Sequence, residues 1–252
     1  MKKILIVVCF GLLGCYLQGE SDLSEGEIIK QFTAKESEFK KVWKEYAYSQ
    51  NIVFQVLNRS GDVREEREVW VEVYFTRDGE RKTQIVKDRG YLKSVQVSSE
   101  DMDDAIHRQP FVLTSEELNK YKIKYEGKEV VDELDTYVFE VKPLKINRGS
   151  RYFKGLIWVD DLDFQIVMTR GKIVPDYSNN KFPEFETVRQ QVNGKYWFPV
   201  WTKAEDVLEF GGFMERRKRV HIRVFITYEN FQKFEVNTAI RYESSEEIEE
   251  GR

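Results

Sequence analysis

Cysteine is nearly absent from this chain. Its 252 residues hold only Cys9 and Cys15, which excludes the disulfide framework that staples many small secreted domains. Proline is scarce, at five, and histidine scarcer, at two. Neither His107 nor His221 has a partner at ligand spacing, whereas a zinc site needs several such ligands. No apolar run approaches the ~20 residues that a helix needs to cross ~30 Å of hydrocarbon. The G-x-S-x-G elbow, the H-E-x-x-H pair, the P-loop and the dinucleotide glycine pattern are all missing. Excess positive charge is missing too: the formal net charge is -4, which argues against nucleic acid or another polyanion as the main partner. The expectation from these absences is a chain that is not an enzyme and carries no cofactor or metal.

What is present begins at the N-terminus. Lys2 and Lys3 precede about ten apolar residues, Ile4 to Leu13, the proportions of a secretory signal. Leu12-Leu13-Gly14-Cys15 then resembles the bacterial lipobox, in which cleavage before the cysteine leaves its thiol lipidated. Cys9 would be lost with the leader, leaving Cys15 as the lone cysteine at the mature N-terminus. The alternative is an ordinary signal cut near Gly19. Loss of Lys2 and Lys3 would take the net charge to about -6. Several acyl chains at one end satisfy the two-signal requirement for stable membrane anchoring. Tyr16 follows the cysteine where a sorting aspartate would stand, favouring the outer membrane. The expected organisation is a lipoprotein signal over 1–14, an anchor and linker over 15–23, one β-domain over 24–242 and an acidic tail over 243–252. That tail has five Glu between Glu243 and Glu250 and is expected to be disordered.

Ser24 with Glu27 three residues on forms a capping box. Ile28, Ile29, Phe32, Phe39, Val42, Trp43 and Tyr46 then recur at helical spacing, predicting an amphipathic helix from Glu25 to about Tyr46 with Lys and Glu on its other face. Beyond it the period becomes two. Strands are expected around Ile52–Val56, Val69–Phe75 and Arg81–Val86, with Asp78-Gly79 at a hairpin tip. From Ser98 to Lys120 the pattern is two short helical pieces around Gln109-Pro110, with Ser99 and Thr114 as caps, a candidate lid. Strands resume at Tyr121, with turns at Glu126-Gly127, Asp132 to Asp135, Asp160 to Asp163 and Asn193-Gly194. Consecutive hairpins imply an antiparallel meander. The fold class is therefore mainly β: a strongly curved antiparallel sheet with an N-terminal helix and a helical lid.

Candidate sites are few. Asp160, Asp161 and Asp163 cluster at one turn, but hairpin tips favour aspartate in any case, and a calcium loop's closing Glu is missing. Arg216, Arg217, Lys218, Arg219 and Arg223 form one basic run, read either as a head-group or acidic-partner contact or as a solvated sheet face. The apolar excess is more informative. Trp43, Met102, Phe111, Leu113, Trp158, Met168, Trp197, Phe198 and Trp201 are the candidate ligand-binding residues, on helix, lid and late strands. A concave sheet face can be packed solid or left partly empty for acyl chains.

Four segments carry a resemblance. Gln109 to Thr114, Asp135 to Pro143, Gly155 to Asp161 and Asn193 to Pro199 resemble segments of exported bacterial proteins of the outer-membrane lipoprotein-sorting, or LolA-like, family, over roughly residues 40 to 235. The phrase built on Trp158, Asp160 and Ile166 is shared across that fold and reports a hairpin. The resemblance implies an open half-barrel of about eleven antiparallel strands with helices over a hydrophobic concave face, sheltering lipoprotein acyl chains. The expected partners are acyl chains of a lipid or lipoprotein, a membrane through the N-terminal lipid anchor, and another envelope protein. Carriers of that family are soluble, whereas Cys15 implies a fixed anchor, closer to the carrier's receptor partner. Two rival functions stand beside lipid binding. One is an interaction or signalling module with a packed concave face; the other is a hydrolase with a buried acid pair.

Overall fold

A computed structural model describes residues 23–107, 113–176, 183–210 and 218–234. Cys15, the leader, Phe111, Arg216, Arg217 and the acidic tail lie outside the described residues. Helix α1, Glu25–Trp43, starts where the capping box predicts: the Glu27 amide donates to Ser24 Oγ (3.3 Å) and the Ser24 amide donates to Glu27 Oε2 (2.9 Å). It ends at Trp43 rather than Tyr46, because Tyr46 is already the first residue of a strand. Its buried residues Ile28, Phe32, Glu36, Phe39 and Trp43 run i, i+4, i+8, i+11, i+15, one stripe of an α-helix.

The described residues form ten antiparallel strands in one sheet: β1 Tyr46–Leu57, β2 Val63–Phe75, β3 Arg81–Tyr91, β4 Tyr121–Val131, β5 Leu134–Pro143, β6 Tyr152–Asp160, β7 Ile166–Val174, β8 Phe185–Val192, β9 Tyr196–Phe210 and β10 Lys218–Lys233. The order is β3-β2-β1-β10-β9-β8-β7-β6-β5-β4. Every pair of strands consecutive in sequence is adjacent in space except β3 and β4; β1 pairs with β10 instead, so among the described residues β3 and β4 are the free edges and the half-barrel stays open. One strand runs through a predicted turn. Glu126-Gly127 is not a hairpin tip: Gly127 (φ +127°) sits in a register shift inside β4, a bulge that lets the strand run on. The tip is at Asp132, with φ +54°. Likewise β9 continues unbroken from Tyr196 to Phe210.

Strand register fixes which side chains share a face. Val69, Ile52, Ile226, Thr202, Thr187, Thr169, Ile157, Phe139 and Tyr125 form one row across nine strands. This is the inner face, under α1. At ~1.5 Å per residue α1 is ~28 Å long and crosses that face from end to end. Ile28 and Phe32 pack with Leu113, Phe139, Val141, Phe153 and Ile157, while Phe39 and Trp43 pack with Tyr48, Ile52, Val71 and Phe198. Between the two apolar clusters α1 places Glu36, whose carboxylate receives both guanidinium NH2 groups of Arg189 on β8 (2.8 and 3.2 Å). Glu36 was expected on the polar side of the helix; its place in the stripe puts it underneath instead.

The lid region is in part as expected. Helix α2, Ser99–His107, turns Ile106 into the Trp43 cluster, with Met102 and Ala105 packed beside it. Its cap is Ser98 rather than Ser99: Ser98 Oγ accepts from the Asp101 amide, and Asp101 Oδ2 accepts in return from the Ser98 amide. A 3-10 helix, Ser115–Lys120, follows Thr114, whose hydroxyl makes no cap bond. It is held to α1 instead, by Ser115 N donating to Ser37 Oγ (3.1 Å) and Ser115 Oγ to Thr33 Oγ1 (3.3 Å).

Candidate functional site

The register separates the predicted apolar residues onto two faces. Trp43, Leu113 and Phe198 are buried on the inner face with Met102 half-buried above them. Trp43 lies 5.5 Å from Phe198, 5.7 Å from Phe39 and 4.9 Å from Tyr48, centroid to centroid, an aromatic core in contact at every side. The next row over runs Trp70, Asn51, Thr227, Trp201, Val188, Met168, Trp158 and Val138. Strand side chains alternate, so Trp158, Met168 and Trp201 lie on the outer face, away from α1. Trp197 joins Trp158 and Met168 in one buried cluster there. They do not form one pocket with Trp43, Leu113 and Phe198.

The acidic turn is structural. Asp160 Oδ2 accepts from the Leu162 and Asp163 amides, and Asp163 accepts from the Gln165 amide and from Trp197 Nε1 (2.6 Å). These bonds hold the β6–β7 hairpin and seat Trp197. Among the described residues no group of three His, Cys, Asp or Glu side chains could hold a metal ion. The described part of the basic run is paired on the sheet face: Arg223 bonds Glu205 (2.8 Å), His221 Nε2 lies 3.1 Å from the same carboxylate, and Arg219 bridges Glu209. Arg223 holds the Glu205 carboxyl down to about 2.

An opening lies elsewhere, where the chain leaves the free edge. After β3 the segment from Leu92 to Val97 turns back over the inner face towards α2. Between this strap and the sheet is an open groove of about 570 Å³, lined by Arg67, Asp88, Gly90, Tyr91 and Leu92 to Val97. That volume lies within the ~300–1,000 Å³ of small-molecule sites. Leu92, Val95 and Val97 are half-buried and tie the strap to the apolar core. Its backbone is fixed by one carboxylate: Glu65 accepts from the Lys93 amide (2.7 Å), the Ser94 amide (2.8 Å) and Ser94 Oγ (2.5 Å). The Ser94 hydroxyl and amides hold Glu65 below the ordinary carboxylate range. Lys218 on β10 donates to the Ser94 carbonyl (2.5 Å). Opposite, Arg67 grips Asp88 through two bonds (3.0 and 2.7 Å) and lowers its pKa.

Gly90 shapes the groove wall. Its φ is +75°, and a Cβ there would stand 2.3 Å from the Glu66 carbonyl oxygen. Gly90→Ala should lose about 1–2 kcal/mol from the left-handed backbone alone, with the clash in addition. Thermal unfolding checks this: an unchanged midpoint would mean that β3 does not approach β2 as closely as described.

None of these groove residues stood out in the sequence. A glycine inside an otherwise regular strand is the one signal that could have marked the place. The groove is assembled from β2, β3 and a strap, with no motif.

No family model matches this chain, and no curated protein matches it. Among solved structures it is similar to a LolA superfamily protein from Nitrosomonas europaea, at 11% identity over 85% of this chain and 95% of that one, with a TM-score of 0.39. It is similar also to a DUF1329 family protein from Desulfovibrio piger, at 13% identity over 84% and 95% of the two chains, with a TM-score of 0.39. At these identities and scores the likeness carries nothing about activity; the chain is an open antiparallel half-barrel on the strength of its own strand order and register.

Proposed function

We propose that this chain is a membrane-anchored, periplasm-facing lipoprotein whose groove beside β3 binds the acyl chain of a lipid or of an acylated protein, in lipoprotein sorting or envelope lipid handling. The observation that carries this is the groove itself: about 570 Å³ open beside the core, lined by Leu92, Val95 and Val97 of the strap together with Arg67, Asp88, Lys93, Ser94 and Gln96. Removal of an acyl chain from water into such a wall is favourable by ~25 cal/mol per Å² of apolar area buried. The leader and Leu12-Leu13-Gly14-Cys15 support the anchor and the compartment. The role is binding, without a chemical step.

A second function has one observation in its favour. The centre of the inner face is filled by α1 and its aromatic neighbours, as an interaction module with a packed face would have it. Mass spectrometry under native conditions, on the full chain purified gently from the cells that make it, separates the two. A co-purifying mass of one lipid or acylated peptide is expected. A bare protein mass, together with failure to take up a fluorescent fatty acid, would favour the interaction module.

A further inference from the structure

The charges around the groove are unequal in a way that bears on its ligand. Both carboxylates near the strap are occupied. Asp88 takes two bonds from Arg67, and Glu65 takes three from the strap at Lys93 and Ser94. Of the cations, Arg67 is paired and Lys218 donates to the Ser94 carbonyl. Lys93 lines the groove and makes no ion pair with any described residue. Its ammonium stands 5.3 Å from the centroid of the Tyr91 ring, which is 64% exposed and lines the same groove. Two and four residues further along the strap, Val95 and Val97 lie half-buried on the apolar side. Lys93, without an ion pair among the described residues, thus lines a cleft whose strap presents apolar side chains.

We infer that the groove selects amphiphiles with an anionic head group, a carboxylate or a phosphate monoester, held by Lys93 while the chain lies against Leu92, Val95 and Val97. The inference rests on the acyl-binding function above and adds the class of head group to it. A free anion lacks the chain, and a neutral amphiphile leaves the Lys93 ammonium without a counter-charge. A charge-assisted hydrogen bond there makes the anionic ligand about tenfold tighter than its neutral analogue. Raised salt narrows that gap, since an exposed charge pair is screened within ~10 Å at 0.1 M ionic strength.

The test is displacement of the neutral fluorescent probe N-phenyl-1-naphthylamine from the full chain. The competitors are palmitate, 1-palmitoylglycerol 3-phosphate, neutral 1-palmitoylglycerol and inorganic phosphate. The expected result is that both anionic amphiphiles displace the probe at about one tenth the concentration of the neutral one, and that phosphate alone does not. Lys93→Gln should bring the anionic-to-neutral ratio close to one. Lys82→Gln, at the far end of β3, should leave the ratio as it was. Equal displacement by charged and neutral amphiphiles would overturn the head-group inference and leave acyl binding standing. A preference that survives in Lys93→Gln would overturn the assignment to this lysine. Displacement by inorganic phosphate would overturn the amphiphile class. Failure of the probe and of every amphiphile to bind would remove the acyl-binding function, and this inference with it.

Discussion

Glu36→Ala should cost this protein about 3–5 kcal/mol of stability, the usual loss when a buried ion pair is broken by removing one partner. The pair is fully enclosed, with the Arg189 and Glu36 side chains at 1% and 0% exposure. Both guanidinium NH2 groups meet the carboxylate, and the same guanidinium lies 4.8 Å over the Phe39 ring. Burial pushes the Glu36 carboxyl above its ordinary range, while Arg189 works in the opposite direction. Removing the carboxylate leaves a guanidinium beneath α1, between two apolar clusters. For a domain of this size the thermal midpoint should fall by roughly 10 °C. The double variant Glu36→Leu, Arg189→Met should recover most of that loss, because a desolvated pair replaced by apolar groups of similar volume is often neutral. Denaturant unfolding of both variants decides the point. A loss below about 1 kcal/mol in Glu36→Ala would mean that water reaches the pair.

The second large effect is expected at Trp43. Its ring has Phe39, Tyr48, Phe198, Tyr228 and Phe231 within 6.5 Å, so Trp43→Ala empties the centre of an aromatic cluster. Large-to-small changes of this kind cost about 3–5 kcal/mol. Calorimetric unfolding with parallel uptake of a fluorescent fatty acid separates a core role from a binding role. Below its melting point the variant should take up the acid as the parent chain does, since the groove beside β3 does not include Trp43. A stable variant that loses uptake would move the binding site beneath α1, where the sequence suggested it.

The parts of the fold governed by short-range chemistry were legible in the sequence. The Ser24–Glu27 capping box and the apolar spacing from Ile28 to Trp43 marked α1, and the strand–turn alternation marked an antiparallel meander. Glu126-Gly127 was misleading because a glycine at positive φ serves a bulge as well as a hairpin tip. Cap choice failed for a related reason: Ser98 and Ser99 are chemically equal candidates, and the winner depends on where the strap delivers the chain. The faces of β5 to β7 were harder. Val138-Phe139, Ile157-Trp158 and Val167-Met168 put apolar residues on both sides, so period two did not say which side faced α1. Register across Ile157, Phe139 and Thr169 settles it, and register is a long-range property. Glu36 was readable in principle, as the one carboxylate in the helix interior in phase with Phe32, Phe39 and Trp43. The groove was not, since Arg67, Tyr91 and Lys93 meet only after β2, β3 and the strap are in place.

Photolabelling would locate the bound acyl chain. The full chain would be irradiated with palmitate bearing a diazirine in mid-chain, then digested and mapped by mass spectrometry. Adducts concentrated between Tyr91 and Val97, suppressed by excess palmitate, are the predicted result. Adducts on Trp70, Trp201 and Phe225 of the outer face, or none that palmitate suppresses, would contradict it.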